Sequence, residues 1–375
     1  MSAAPAPPSD VLPSLLGVAP GDVPAALSDL VGSPVGPSEV RVDAVAYASG
    51  SPATGGLWRV HGAGWSMFVK QLHHVRHWPG LALMPPPIAH DFAAEFPWRT
   101  EIELWDPRIQ ASLPNGLRGP ILHRLIELPD DRLVLWQEDI TPAPTPWDTE
   151  RFARAGYLLG RWNARSMTPD VLAVSAFPPG YALRMYAEKA VQFRGLAPLH
   201  DDGLWSHPWL ADHGDLRSGL RDLGPRIREL LDRLDALPQA LPHGDASPQN
   251  LLVPADGSAE FVVIDLSFRT PHTLGFDLGQ LLIGLTHAGQ LPADNLPAVS
   301  AAIVPAYLRG LAEEGVSGVD AEVREGFATS VLLRSGFDGF RYDLIGRDDA
   351  ESRHAFAERV TMSRVLLQQF REWSV

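Results

Sequence analysis

The sequence predicts an α+β chain in two lobes, an antiparallel sheet with a helix ahead of a mainly helical region. Three observations predict it. At 375 residues the chain exceeds what one ordinary hydrophobic core organises, so two lobes are the default. Residues 39–72 and 121–136 read as short alternating or β-branched runs separated by turn residues, the pattern of strands. From Asp148 onward, apolar positions recur at helical spacing. The expected divisions are 1–37, a disordered tail and N-terminal extension; 38–140, the sheet lobe; and 141–375, the helical lobe.

Composition narrows the class. Hydrophobic content of 45% and charged content of 20% are those of a soluble globular protein. No apolar run reaches the length of a membrane span, so no membrane partner is expected. The opening MSAAPAPPSD lacks a basic and an apolar segment, so it is no signal peptide and reads as a disordered tail. Cysteine is absent, which excludes disulfides, thiolate metal sites and a Cys nucleophile, and fits a cytoplasmic setting. The net charge of −14 argues against nucleic-acid binding and is compatible with a cationic substrate. Of 31 basic residues only Lys70 and Lys189 are lysines. A retained lysine then marks a place that needs a compact, mobile ammonium.

Along the chain, residues 22–30 are a short helix. Residues 39–48 alternate as a strand, 49–56 are a turn of small residues, and 57–60 form a second strand. The tip of that hairpin, with Ser51 and Gly55, can bring backbone N–H groups to a phosphate. A third strand over 65–72 carries Lys70. A helix opening at Pro97 carries Glu101 and Glu103, which lie about 200° apart, so they cannot face the same partner. Residues 121–128 and 133–136 form another hairpin, which leads through Gln137, Glu138 and Ile140 into the Pro-rich boundary at 142–146. Asp148 caps a helix carrying Phe152, Ala155, Leu158, Leu159 and Trp162. Further helices are expected over 181–193, 227–234, 299–311, 321–333 and 355–373.

The chemistry is concentrated in residues 243–277. Leu251, Leu252 and Val253, then a turn at 254–258, then 261–264 read as a β-hairpin. Antiparallel arms bring the residue entering the first arm beside the residue leaving the second. These are Asn250 and Asp265, a neutral carbonyl oxygen and a carboxylate, which suit a hard cation such as Mg²⁺. Asp245 stands five positions before Asn250, at the end of a His-Gly-Asp turn. Singly, each of the three reads as a turn or cap residue. Together, at this spacing and on this hairpin, they form the phosphoryl-transfer arrangement of protein kinases.

The run HGDASPQN resembles the catalytic loop of the aminoglycoside phosphotransferase family, which includes choline-kinase-like enzymes, over roughly residues 38–290. The resemblance implies a bilobal protein-kinase-like fold and a small-molecule kinase using ATP, or GTP in its place, with Mg²⁺. It implies that Asp245 orients the substrate hydroxyl and accepts its proton. Asn250 and Asp265 would bind metal, Lys70 would contact the ATP phosphates, and the Arg99-Glu101 pattern points to Glu101 as the lysine's support. Gln137, Glu138 and Ile140 would form the hinge that binds adenine through its backbone. His243 and Asp277 would support the catalytic loop. The departures from eukaryotic kinases, His-Gly-Asp for His-Arg-Asp and Asp265-Leu266-Ser267 for Asp-Phe-Gly, argue against control by activation-loop phosphorylation. The acceptor is expected to be a small hydroxyl compound, an aminoglycoside or another amino alcohol or sugar. His200, Asp201, Asp202, Asp338, Tyr342 and Asp343 are candidate contacts for a cationic one. The alternative reading is a catalytically inactive nucleotide-binding module, which loss of a motif residue would favour; none is lost.

Overall fold

A computed structural model of the chain describes residues 8–36, 39–47, 51–266 and 268–374. Expectations for residues 1–7, for Ala48, Ser49 and Gly50 of the hairpin tip, and for Ser267 fall outside them. Among the described residues the chain divides into two compact units. The first spans Met1–Arg99, Gly119–Pro142 and Pro254–Asp256, and the second Thr100–Arg118, Ala143–Val253 and Gly257–Val375.

The first unit is built on a five-stranded antiparallel sheet in the order Arg41–Ala44, Thr54–Gly62, Trp65–His73, Arg132–Glu138, Leu122–Leu128. Alternation places Met67 and Val69 inward with Val60, Val134 and Trp136. Two helices, Pro8–Leu16 and Val23–Val31, complete this core through Leu12, Leu15, Leu16, Val23 and Leu27. The Trp136 indole N–H donates to the Leu15 carbonyl at 3.0 Å. Residues 8–10 therefore open a helix rather than continue a disordered tail, and the extension is part of the core. The reason is burial: each of these leucines, removed from water, contributes about 1.5–3 kcal/mol.

In the second unit the helix Thr149–Arg165 packs along Leu296–Glu313. Their backbones come so close that a Cβ on Gly160 would stand 2.2 Å from the Tyr307 carbonyl oxygen, and one on Gly310 2.1 Å from that of Tyr157. Asp148 caps the first of these helices, its Oδ1 accepting from Arg151 N at 2.8 Å. Two other helices continue into π turns. Tyr181–Val191 runs into Gln192–Leu196, and Asp320–Val331 into Leu332–Gly336. Leu251–Leu252 pairs antiparallel with Phe261–Val263, which also pairs in parallel with Leu117–Arg118. The expected helix from Pro97 is instead a 3₁₀ helix, Thr100–Trp105, between the α-helices Pro86–Glu95 and Pro107–Ser112. Asp106 caps the latter, its Oδ1 accepting from Arg108 N at 2.9 Å, and Pro107 opens it. Among the described residues no helix is long and apolar enough to cross a membrane.

Candidate active site

The loop from Leu241 to Asn250 is held by a single buried carboxylate. Asp277, in the first turn of the helix Phe276–His287, is 1% exposed. Its Oδ2 accepts from His243 N at 3.0 Å, and its Oδ1 from Gly244 N at 2.9 Å. Asn163 Nδ2 also donates to Oδ2 at 3.1 Å. An acid at a helix N-terminus is further favoured by the helix dipole. Gly244 has φ +87°, and a Cβ there would stand 2.7 Å from the Phe268 carbonyl carbon and oxygen, so the turn needs glycine. His243 is fully buried, and burial holds its imidazole below its ordinary pKa. The ring is therefore neutral; its Nδ1 accepts from Asp245 N at 3.2 Å, which places the proton on Nε2.

Asp245 and Asn250 meet directly. Asn250 Nδ2 donates to the Asp245 carbonyl at 2.9 Å and to Asp245 Oδ2 at 3.1 Å. The amide nitrogen thus faces Asp245, which leaves Oδ1 as the Asn250 atom able to meet a cation. The hairpin register is Leu251 opposite Val263 and Leu252 opposite Val262, and Ile264 N donates to Asn250 O at 3.0 Å. Ile264 therefore stands across from Asn250, and Asp265 follows it, one position on from the pairing the hairpin pattern predicts. Asp265 adopts φ +57°, left-handed for a residue with a side chain, where the chain turns out of the strand. Burial pushes the Asp245 carboxyl above its usual range; Arg334 opposes this, and the Asp265 charge adds to it.

Sequence reasoning missed Arg334, which donates from Nη2 to Asp245 Oδ1 at 2.8 Å. It also missed Asn163 and Arg269. Asn163 carried a readable signal, a polar residue on the apolar stripe of its helix. Arg269 is fully buried, lies over the Trp162 ring at 5.6 Å and stands 3.8 Å from Glu103 Oε2. Burial raises Glu103 to about 7 and lowers Arg269 to about 10. Glu103 is thus committed to Arg269. Glu101, 4% exposed, projects about 240° away in a 3₁₀ turn.

In the first unit, Lys70 is 5% exposed, on the strand Trp65–His73 between Leu57 and Leu135. Its burial sets it apart from an ordinary surface lysine. Ser51 Oγ lies 2.8 Å from Thr54 Oγ1. Gly55, expected in the turn, is in the strand Thr54–Gly62, where the register slips between Thr54 and Gly56. Gln137 is buried on the strand Arg132–Glu138, and Ile140 lies just beyond it. The Glu138 N–H donates to Ile121 O at 2.8 Å, and Glu138 Oε2 accepts from Ile121 N at 3.0 Å. The Glu138 backbone N–H is thus engaged within the chain.

The acidic candidates for a cationic acceptor are mostly neutralised within the chain. Asp201 Oδ1 caps a short helix, accepting from Leu204 N at 2.9 Å, and Asp202 pairs with Arg217 at 2.7 Å. Asp343 takes both arms of Arg341, at 2.7 and 2.8 Å. Asp338 accepts from Tyr186 Oη at 2.6 Å and from Arg194 at 2.9 Å. Tyr342 stacks on Phe340, with ring centroids 5.4 Å apart.

No family model matches the sequence, and no curated protein does. Solved structures do. An aminoglycoside phosphotransferase from Alicyclobacillus acidocaldarius is 13% identical with a TM-score of 0.52, over 91% of this chain and 96% of that one. A microcompartment-associated aminopropanol kinase is 13% identical with a TM-score of 0.51, over 89% and 93%. An amicoumacin kinase, solved with AMP-PNP and Ca²⁺, is 15% identical with a TM-score of 0.51, over 90% of each chain. At these identities the likeness is one of fold: the chain has the α+β, protein-kinase-like fold of the aminoglycoside phosphotransferases.

Proposed function

We propose that the chain is an ATP- and Mg²⁺-dependent phosphotransferase that phosphorylates a hydroxyl of a small molecule, an aminoglycoside-like compound or another amino alcohol or sugar. The observation that supports this reading is the Asn250 amide nitrogen turned onto Asp245 Oδ2, with Asp265 next after Ile264, the residue across from Asn250. The donor set fits Mg²⁺, which is usually held by one or two protein oxygens with phosphates and waters completing an octahedron. Asn250 Oδ1 and the Asp265 carboxylate would hold it, and when bound it supplies charge neutralisation to the phosphate oxygens.

The chain's own groups do the rest. Asp245 accepts a hydrogen bond from the acceptor hydroxyl, aligns that oxygen with the γ-phosphorus and takes its proton as the new P–O bond forms and the bond from the γ-phosphorus to the β–γ bridging oxygen breaks, with ADP leaving. Lys70 answers charge on the non-transferred phosphates, and we assign Glu101 the supporting carboxylate role. Ser51 lies toward the phosphates, and the segment from Gln137 to Ile140 meets the base of ATP, or of GTP in its place. Positioning and fixed charge supply most of such catalysis. The cysteine-free sequence suits a reducing, cytoplasmic setting.

The testing experiment is a screen with γ-labelled ATP and Mg²⁺ against aminoglycosides, macrolides, amino alcohols and sugars. Label transfer to one acceptor class, abolished in Asp245→Ala, supports the reading. ATP binding with no transfer to any acceptor contradicts it and marks an inactive nucleotide-binding module.

A further inference from the structure

Asp245 is gripped from outside its own loop. Arg334 lies 89 residues downstream, in the π turn Leu332–Gly336. Its Nη1 donates to the Gly244 carbonyl at 2.7 Å and its Nη2 to Asp245 Oδ1 at 2.8 Å. Its guanidinium lies on the Phe268 ring, 4.1 Å from the centroid, and 5.8 Å from that of Phe276. The side chain is 14% exposed, so neither contact is a loose surface pairing. The planar fork reaches main chain and carboxylate at once from two nitrogens held in one rigid plane. Asn250 meanwhile occupies Oδ2. Each oxygen of Asp245 is therefore fixed by a different partner, and rotating the carboxylate breaks both contacts. π turns are rare and are frequently found at functional sites.

We infer that Arg334 is the positioning residue of Asp245, setting the direction in which its carboxylate meets the acceptor hydroxyl. The inference rests on the reading of Asp245 given above. Arg334 touches neither nucleotide nor acceptor in this role; it acts through Asp245. Misplacing a catalytic group by an ångström costs on the order of 100-fold in rate.

The test is steady-state kinetics of Arg334→Ala, using the acceptor found in the screen and, separately, water, read as phosphate release from Mg-ATP. The expected result is a kcat lower by about 100-fold with KM for ATP nearly unchanged, partial rescue by added guanidinium, and no further loss when the change is added to Asp245→Asn. A crystal structure of Arg334→Ala, which needs no turnover, should show the Asp245 carboxylate turned from its present place. Retention of ATP-induced thermal stabilisation, checked also in Arg334→Lys, separates loss of positioning from loss of fold. Wild-type kcat in Arg334→Ala, full additivity with Asp245→Asn, or an unmoved Asp245 would overturn the inference. Full activity in Asp245→Asn alone would instead overturn the role of Asp245 itself.

Discussion

Asp277 lends itself to a quantitative prediction, because its contacts are buried and few. Replacing it by alanine removes the acceptor for His243 N, Gly244 N and Asn163 Nδ2 in one step. Each buried donor left unpaired costs about 1–3 kcal/mol. Three such losses sum to roughly 3–9 kcal/mol, and relaxation of the loop places the expected value near the lower end, about 4 kcal/mol. Against a typical total of about 5–15 kcal/mol, that leaves the second unit marginal. Asp277→Asn keeps the shape and one acceptor oxygen but aims an NH₂ group at one of the two loop amides, so about 2 kcal/mol is expected. The assay is urea unfolding followed by circular dichroism, joined to hydrogen exchange at the His243 and Gly244 amides. The account requires the midpoints to fall in the order wild type, Asn, Ala, with both amides deprotected. Unchanged exchange at those two amides in Asp277→Ala would refute the reasoning, whatever the midpoint did.

The remaining predictions concern the same region. Gly244→Ala places a Cβ against the Phe268 backbone in a left-handed conformation that alone costs about 1–2 kcal/mol. Loss of transfer is expected, with normal kcat in that variant the contrary result. Asp245→Ala and Asp265→Ala should each abolish transfer, but only the latter should remove the Mg²⁺ dependence of ATP binding, measured by calorimetry. Glu103 gives a pH signature. Its folded pKa, about 7, lies above the ordinary 4.5, so the folded chain keeps a proton that the unfolded chain releases. Its contribution is fully present below about pH 4.5 and is lost as pH rises through 7, by about 3 kcal/mol. Glu103→Gln should flatten stability over that window; parallel curves for the two proteins would refute this.

The loop from Leu241 to Asn250 was legible because its signal is local. A His-Gly-Asp turn, a four-residue gap, Asn250 and a hairpin ending near Asp265 lie within one short stretch, and the structure has that hairpin, with Ile264 rather than Asp265 across from Asn250. The amphipathic helices were legible for the same reason, their stripes repeating within a few turns. Arg334 was not, because its partner lies 89 positions away and nothing in Leu-Leu-Arg-Ser-Gly marks a π turn. The segment after Pro97 forms a 3₁₀ helix where an α-helix was expected. The first N-terminal helix, Pro8–Leu16, hid behind a proline-rich composition, although Leu12, Leu15 and Leu16 already had helical spacing, whereas the second, Val23–Val31, was read over 22–30. Gly55 shows a further limit, because a register slip between strands leaves no mark in side-chain pattern.

The central claim is that Asn250 and Asp265 share one cation beside Asp245. The measurement that tests it most directly is a crystal structure of the chain with Mg²⁺ and a non-hydrolysable ATP analogue. The account predicts a metal ion about 2.0–2.1 Å from both Asn250 Oδ1 and an Asp265 carboxylate oxygen, with phosphate oxygens completing its shell. A nucleotide-bound metal that touches neither residue, or an Asn250 amide turned with its nitrogen toward the ion, would contradict it.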